Sequence, residues 1–285
     1  MAEITARGIY FGEGPRWYDG RLWFSDFYGR CVYALSPGGD PEVMLRIDGQ
    51  PSGLGWLPDG RLLVVSMIDH RLLRQDADGA VRVHADLSSV SRHRSNDMLV
   101  DPLGGAYVGN FGFDNEAPSP TDRAPVPTSL CRVEPGGRVT EAATGLLFPN
   151  GMALTPDGGT LIVAETYGAR LTAFDVAPDG TLSRRRVWAD LTGTGVYPDG
   201  ICLDADGAVW TAAAAQPRCI LVREGGEVVT EEIFSQNCYA CALGDADRRT
   251  LYALTAPTSA AAVASAGPRG LVEKARVRVP GAGLP

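Results

Sequence analysis

Short apolar runs alternate with tight polar turns along the whole chain. Six segments share one pattern: an apolar stretch, a turn built on Asp-Gly or a near equivalent, and a second, alternating apolar stretch. They occupy residues 14–24, 55–65, 99–108, 153–163, 202–210 and 243–252. Asp-Gly between two apolar runs is a strong hairpin signal, because a primed turn needs positive φ at its centre. The second turn residue of each segment falls at 20, 60, 104, 158, 207 and 248, with spacings of 40, 44, 54, 49 and 41. Repeats of this length, each holding a few strands, predict a β-propeller. Stretches such as 31–35, 41–47, 171–176 and 182–188 supply third and fourth strands. The expected fold is therefore all-β: one six-bladed β-propeller domain over 1–285, with four antiparallel strands per blade. Residues 271–279 read as a strand of the last blade. Residues 4–9 could pair beside it, tying the chain ends together and removing an open sheet edge.

The 54-residue spacing holds an insertion. Residues 114–128 include Pro118, Pro120, Pro125 and Pro127, which a central strand does not tolerate. The expectation is a long Pro-rich loop over one face.

Composition agrees with this picture and narrows the function. Gly and Pro supply 55 of the 285 residues, as many short strands joined by turns require. The net charge is −8, which argues against a nucleic-acid groove, since phosphate binding needs a dense basic surface. No stretch approaches the ~18 apolar residues of a membrane span. Nor do the first residues show a basic segment followed by an apolar run, so a cytoplasmic protein without a membrane partner is expected. The six cysteines then read as reduced, mostly buried thiols. Cys238-Tyr239-Ala240-Cys241 has the spacing of a redox or zinc pair but no partner pair, and reads as core packing. No Gly-x-Ser-x-Gly elbow is present, which disfavours a serine esterase.

Seven or eight residues before each turn marker stand Glu13, Ser52, Asn96, Asn150, Asp199 and Ala240. Repeat symmetry makes these positions equivalent. If the first strand of each unit is innermost, their side chains ring a central channel near one mouth. Four of the six carry carboxylate or amide oxygens, a donor set suited to a hard divalent cation. Ca²⁺ fits best, with Mg²⁺, Mn²⁺ or Zn²⁺ as alternatives. Each residue alone would pass as a turn residue bonded to its own backbone. Four at one repeat position are harder to dismiss, and two facing carboxylates are costly without a cation or proton between them.

Gly12-Glu13-Gly14-Pro15, Arg94-Ser95-Asn96-Asp97, Pro149-Asn150-Gly151-Met152 and Pro198-Asp199-Gly200 together resemble the family of regucalcin (senescence marker protein), gluconolactonase and luciferin-regenerating enzyme. The resemblance covers roughly residues 10–255. It implies a six-bladed propeller with one divalent ion in the channel, ligated by Glu13, Asn150 and Asp199. It further implies Asn96 as a polar neighbour of the ion, Arg94 as a substrate contact, and lactone hydrolysis as the reaction. Asn110 or Asp114 could take a further substrate-binding role in the third unit. There the stretch 108–114 carries Phe111 and Phe113, pointing to a more apolar pocket than a bare sugar needs.

The expected chemistry is attack of an activated water on a cyclic ester, with Asp199 as both ligand and general base. A metal-dependent isomerase or cyclase on the same site, and a non-catalytic Ca²⁺-binding propeller, are the alternatives. The expected partner is a small-molecule substrate, and the expected assembly a monomer or weak homodimer.

Overall fold

The computed structural model describes residues 2–114, 116–117 and 124–283. Its strands run in chain order, and almost all neighbours in sequence are neighbours in a sheet. β1 is Glu3–Ile9. The first four-stranded sheet is β2 (Gly12–Tyr18), β3 (Arg21–Asp26), β4 (Cys31–Leu35) and β5 (Glu42–Arg46). The second is β6 (Pro51–Trp56), β7 (Leu62–Ser66), β8 (Arg71–Gln75) and β9 (Val81–Asp86). The third is β10 (Ser95–Val100), β11 (Ala106–Asn110), β12 (Thr128–Val133) and β13 (Val139–Leu146). The fourth is β14 (Pro149–Leu154), β15 (Thr160–Glu165), β16 (Arg170–Val176) and β17 (Leu182–Asp190). All pairings are antiparallel.

The remaining strands form one seven-stranded sheet: β18 (Pro198–Leu203), β19 (Val209–Ala213), β20 (Gln216–Val222), β21 (Val228–Gly244), β22 (Thr250–Ala256), β23 (Gly270–Arg276) and then β1. The long β21 joins its halves. Residues 228–233 pair with β20 and residues 237–244 with β22, and Cys238 pairs with both. The N-terminal strand closes on the C-terminal one, with Glu3 opposite Lys274 and Ile9 opposite Gly270. The architecture is thus all-β and propeller-like. One four-residue helix, Ala261–Ala264, is the α-helix among the described residues.

The turn markers behave as the pattern demands. Gly20, Gly60, Gly104, Gly158 and Gly207 all adopt positive φ, and Arg248 takes the same conformation in the sixth unit. Of the six marked hairpins, the first alone has a two-residue loop, with Tyr18 opposite Arg21. In the second unit the marker sits in a longer turn, between Trp56 and Leu62.

The inner strands β2, β6, β10, β14, β18 and β21 pack side by side, each on the next, and β21 returns to β2. Glycine makes this approach close enough. A Cβ on Gly200 would lie 2.6 Å from Cα of Ala240, and one on Gly151 would lie 2.5 Å from the backbone N of Ile201. The apolar core fills the space between successive sheets: Val32, Leu54 and Val64 in one layer, Tyr107, Leu130 and Leu161 in another, all fully buried. Burial of each such side chain stabilises by roughly 1.5–3 kcal/mol.

Of the 114–128 insertion, residue 115 and residues 118–123, with Pro118 and Pro120, lie outside the described residues. The described remainder contains no strand before Thr128.

Candidate functional site

Five of the six inner strands start near one mouth of the ring, so the residue at their second position meets its symmetry mates there; in the long β21 the matching residue, Ala240, lies within the strand. Glu13, Asn96, Asn150 and Asp199 all line a single cavity of about 280 Å³. They are nearly inaccessible, at 2–6 % exposure. Hydrogen bonds join the amides into a chain: Ser52 Oγ donates to Asn96 Oδ1 (3.2 Å), Asn96 Nδ2 to Asn150 Oδ1 (3.0 Å), and Asn150 Nδ2 to Thr166 Oγ1 (3.1 Å). The sixth ring position, Ala240, carries no polar group.

The electrostatics of the ring are unbalanced. Burial pushes Glu13 well above the ordinary carboxylate range, and the charges of Asp199 and Asp97 push it further. Burial likewise raises Asp199, with Asp97 adding and the Asn150 side chain partly offsetting. Asp97 itself is paired: Arg16 Nη2 lies 2.9 Å from its Oδ1, both side chains buried. Three carboxyl groups therefore share one arginine, which leaves Glu13 and Asp199 without an ion-pair partner in a buried site. Asp199 Oδ1 is buried without any hydrogen-bond partner, which is costly for a carboxylate. Oxygen donors alone, two of them carboxylates and one carboxylate oxygen without a partner, fit a hard divalent cation.

The other expected site residues stand elsewhere. Arg94 does not line the cavity. Its guanidinium holds Glu116 through two bonds of 2.9 and 2.8 Å, reaches Gln50 Oε1 at 3.2 Å, and sits 3.8 Å from Asp114. Asp114 Oδ1 also accepts the Glu116 N–H. Asn110 is fully buried below the cavity wall. Its Nδ2 donates to Ser129 O, and its Oδ1 accepts from Gly112 N and Thr128 Oγ1. Register explains this: Asn110 faces Ser95 as Asp26 faces Gly12 and Glu165 faces Pro149. Asp26 and Glu165 also turn their carboxylates on backbone N–H groups of the segment leading into the inner strand. These three fasten loops.

Several cavity residues went unread in the sequence. Thr166 anchors Asn150, and the walls are aromatic. Phe11, Phe148 and Tyr197 each stand two residues before a ring position, at 13, 150 and 199. All three lie in the segments leading into inner strands, so the repeat marked their positions without fixing where the rings point. Tyr167 and Tyr239 had no equivalent periodic mark.

Among the described residues, no helix is long and apolar enough to cross a membrane. All six cysteines are free thiols, five of them buried.

Comparison with known proteins gives a consistent answer. The pentonolactonase of Haloferax volcanii is 27% identical over 263 residues, covering 90% of this chain and 85% of that protein. The solved luciferin-regenerating enzyme superposes with a TM-score of 0.81 at 20% identity, over all of this chain and 96% of the other. A calcium-binding protein, regucalcin, from Agrobacterium tumefaciens superposes with a TM-score of 0.79 at 23% identity, over 98% and 95%. The SMP-30/Gluconolactonase/LRE-like region matches residues 11–257. That span takes in every inner strand and the whole polar ring, and the chain belongs to the SMP-30/gluconolactonase/LRE-like family.

Proposed function

We propose that this chain is a divalent-metal-dependent hydrolase that opens a lactone. The seven-stranded sheet then counts as two blades sharing β21, giving six blades around a channel that holds the ion. Glu13, Asn150 and Asp199 are its ligands. The observation that carries the reading is the pair of buried, mutually repelling carboxylates, Glu13 and Asp199, with Asp199 Oδ1 lacking any partner. The family and the pentonolactonase relative support the reaction class. Ca²⁺ suits the all-oxygen donor set, and a structural neighbour is named a calcium-binding protein.

A cation held there supplies Lewis-acid polarisation of the ester carbonyl and eases loss of a proton from water. The chain's own groups do the rest. Asp199 accepts the proton of the attacking water as general base. Asn96, locked to Asn150, orients water or substrate beside it. Thr166 accepts from Asn150 Nδ2 and Asn96 donates to Asn150 Oδ1, which together fix the Asn150 amide at the ring. In this reading Arg94 and Asp114 brace the rim with Glu116 instead of contacting substrate.

Chelation with EDTA should abolish lactone opening, followed by pH-stat titration, and added Ca²⁺ should restore it. Asp199→Ala should abolish turnover with the fold retained by circular dichroism. Undiminished activity in a metal-stripped sample overturns the proposal.

A further inference from the structure

The cavity above the polar ring is walled by two groups of aromatic rings. On one side Phe11 packs on Tyr239 with ring centres 4.7 Å apart, on Phe27 at 5.4 Å and on Tyr28 at 6.4 Å. On the other, Phe148 meets Phe111 at 4.7 Å and Phe113 at 5.5 Å, edge-on to both at 83°. Tyr167 continues that wall, 5.4 Å from Phe113 and 6.5 Å from Tyr197. All of these rings line the same space as Glu13 and Asp199.

Among the described residues, no arginine, lysine or histidine lines that space. Arg94, the expected substrate contact, is engaged by Glu116, and Arg16 by Asp97. The lining amides are already committed to one another and to Thr166. A bare sugar lactone presents hydroxyls around its whole ring. Each one buried against an aromatic face without a partner is penalised. An aromatic body has the opposite needs: it gains from offset and edge-on ring contacts and asks for few polar partners.

Resting on the lactonase reading above, we propose that the substrate is a lactone with an aromatic or fused-ring apolar body. That body lies between the two aromatic walls, with its ester directed to the Glu13–Asn150–Asp199 end. The reaction adds water across the acyl C–O bond: hydroxyl to the carbonyl carbon, proton to the ring oxygen. The product is an aryl hydroxy acid.

The test compares 3,4-dihydrocoumarin with glucono-1,5-lactone on the Ca²⁺-loaded full chain, by initial rates. It also compares binding of their lactams, 3,4-dihydro-2-quinolinone and gluconolactam, by calorimetry. The expected kcat/KM favours dihydrocoumarin by about tenfold or more, within what an apolar pocket can discriminate. Tyr167 is 46% exposed, so Tyr167→Ala should keep its melting temperature. That variant should lower kcat/KM for dihydrocoumarin about tenfold more than it does for gluconolactone, a difference equal to one or two ring contacts. Tighter binding of the quinolinone with neither lactone opened would support the aromatic site while refuting the hydrolase reading. Equal or greater activity on gluconolactone, or tighter binding of gluconolactam, overturns the proposal and leaves lactone hydrolysis standing.

Discussion

At the scale of single residues, the site depends on a group that never faces the cavity wall. Arg16 lies three residues beyond Glu13 on β2 and crosses the ring to Asp97 on β10. It also donates to the carbonyls of Pro15 and Met98. Burial pushes Asp97 above its ordinary range, and Arg16 opposes that shift. Without Arg16, three carboxylates would share the channel unpaired. Arg16→Met should therefore cost about 3–5 kcal/mol, the typical penalty for stranding a buried charge, read as a lower urea midpoint. Arg16→Met with Asp97→Leu removes both charges and should recover much of that loss; a double variant no better than the single one would contradict the argument. The ring residues were legible in sequence because equivalent repeat positions share one environment. Asn110 was not: whether an amide faces a cavity or fastens a loop depends on the neighbouring strand, and Thr128 and Ser129 lie across the insertion from it. Phe148 shows a further limit. It adopts φ of 57°, a conformation bulky residues avoid, and no local signal marks it.

Elements follow from turn chemistry, with one exception. The Gly- and Asp-bearing markers punctuate the chain, and all six hairpins beginning an inner-to-second strand pair fall where they predict. β21 runs unbroken because residues 228–243 contain neither glycine nor proline, so two strands expected to be separate are one. Other elements are held by polar fasteners. Glu165, at the end of β15, is fully buried and accepts from Arg170 and Thr172 on β16, Arg185 on β17 and the Leu147 N–H. Burial alone would raise its pKa, but Arg170, Thr172 and Leu147 outweigh it and hold the carboxyl below its ordinary range. A depressed folded pKa stabilises above the unfolded value, roughly pH 4.3, and that contribution disappears as pH falls through the folded one. Glu165→Gln should thus be less stable than the parent at pH 7. The gap should narrow below about pH 4, where the parent carboxyl also takes a proton. Thermal melts at pH 7, 5 and 3 check this; a constant gap would show that charge contributes nothing.

For the molecule as a whole, the decisive feature is closure by strands from opposite ends of the chain. β1 covers the outer edge of β23 and packs Ala6 and Ile9 against Phe24, Leu254 and Val272. The pairing was foreseeable because residues 4–9 formed an apolar segment without a partner in its own repeat. Its consequence is global. The inner ring places Glu13, twelve residues from one end of the chain, against Asp199 and Ala240 far along it, so the polar site exists only when the circle is shut. Removing residues 2–9 would expose a full row of unpaired N–H and C=O groups on β23, a template for pairing between molecules. It would also forfeit the burial of Ile9, worth about 1.5–3 kcal/mol. The truncated chain should melt at a lower temperature and self-associate as its concentration rises, visible by light scattering after gel filtration. On the proposed metal site, stabilisation against heat by added Ca²⁺ should shrink as well, because Glu13 lies four residues beyond the lost segment. Restoring a β1 peptide in excess should reverse all three effects if edge pairing is their cause. Persistence of the full chain's melting temperature and elution after truncation would show instead that the ring holds without its clasp.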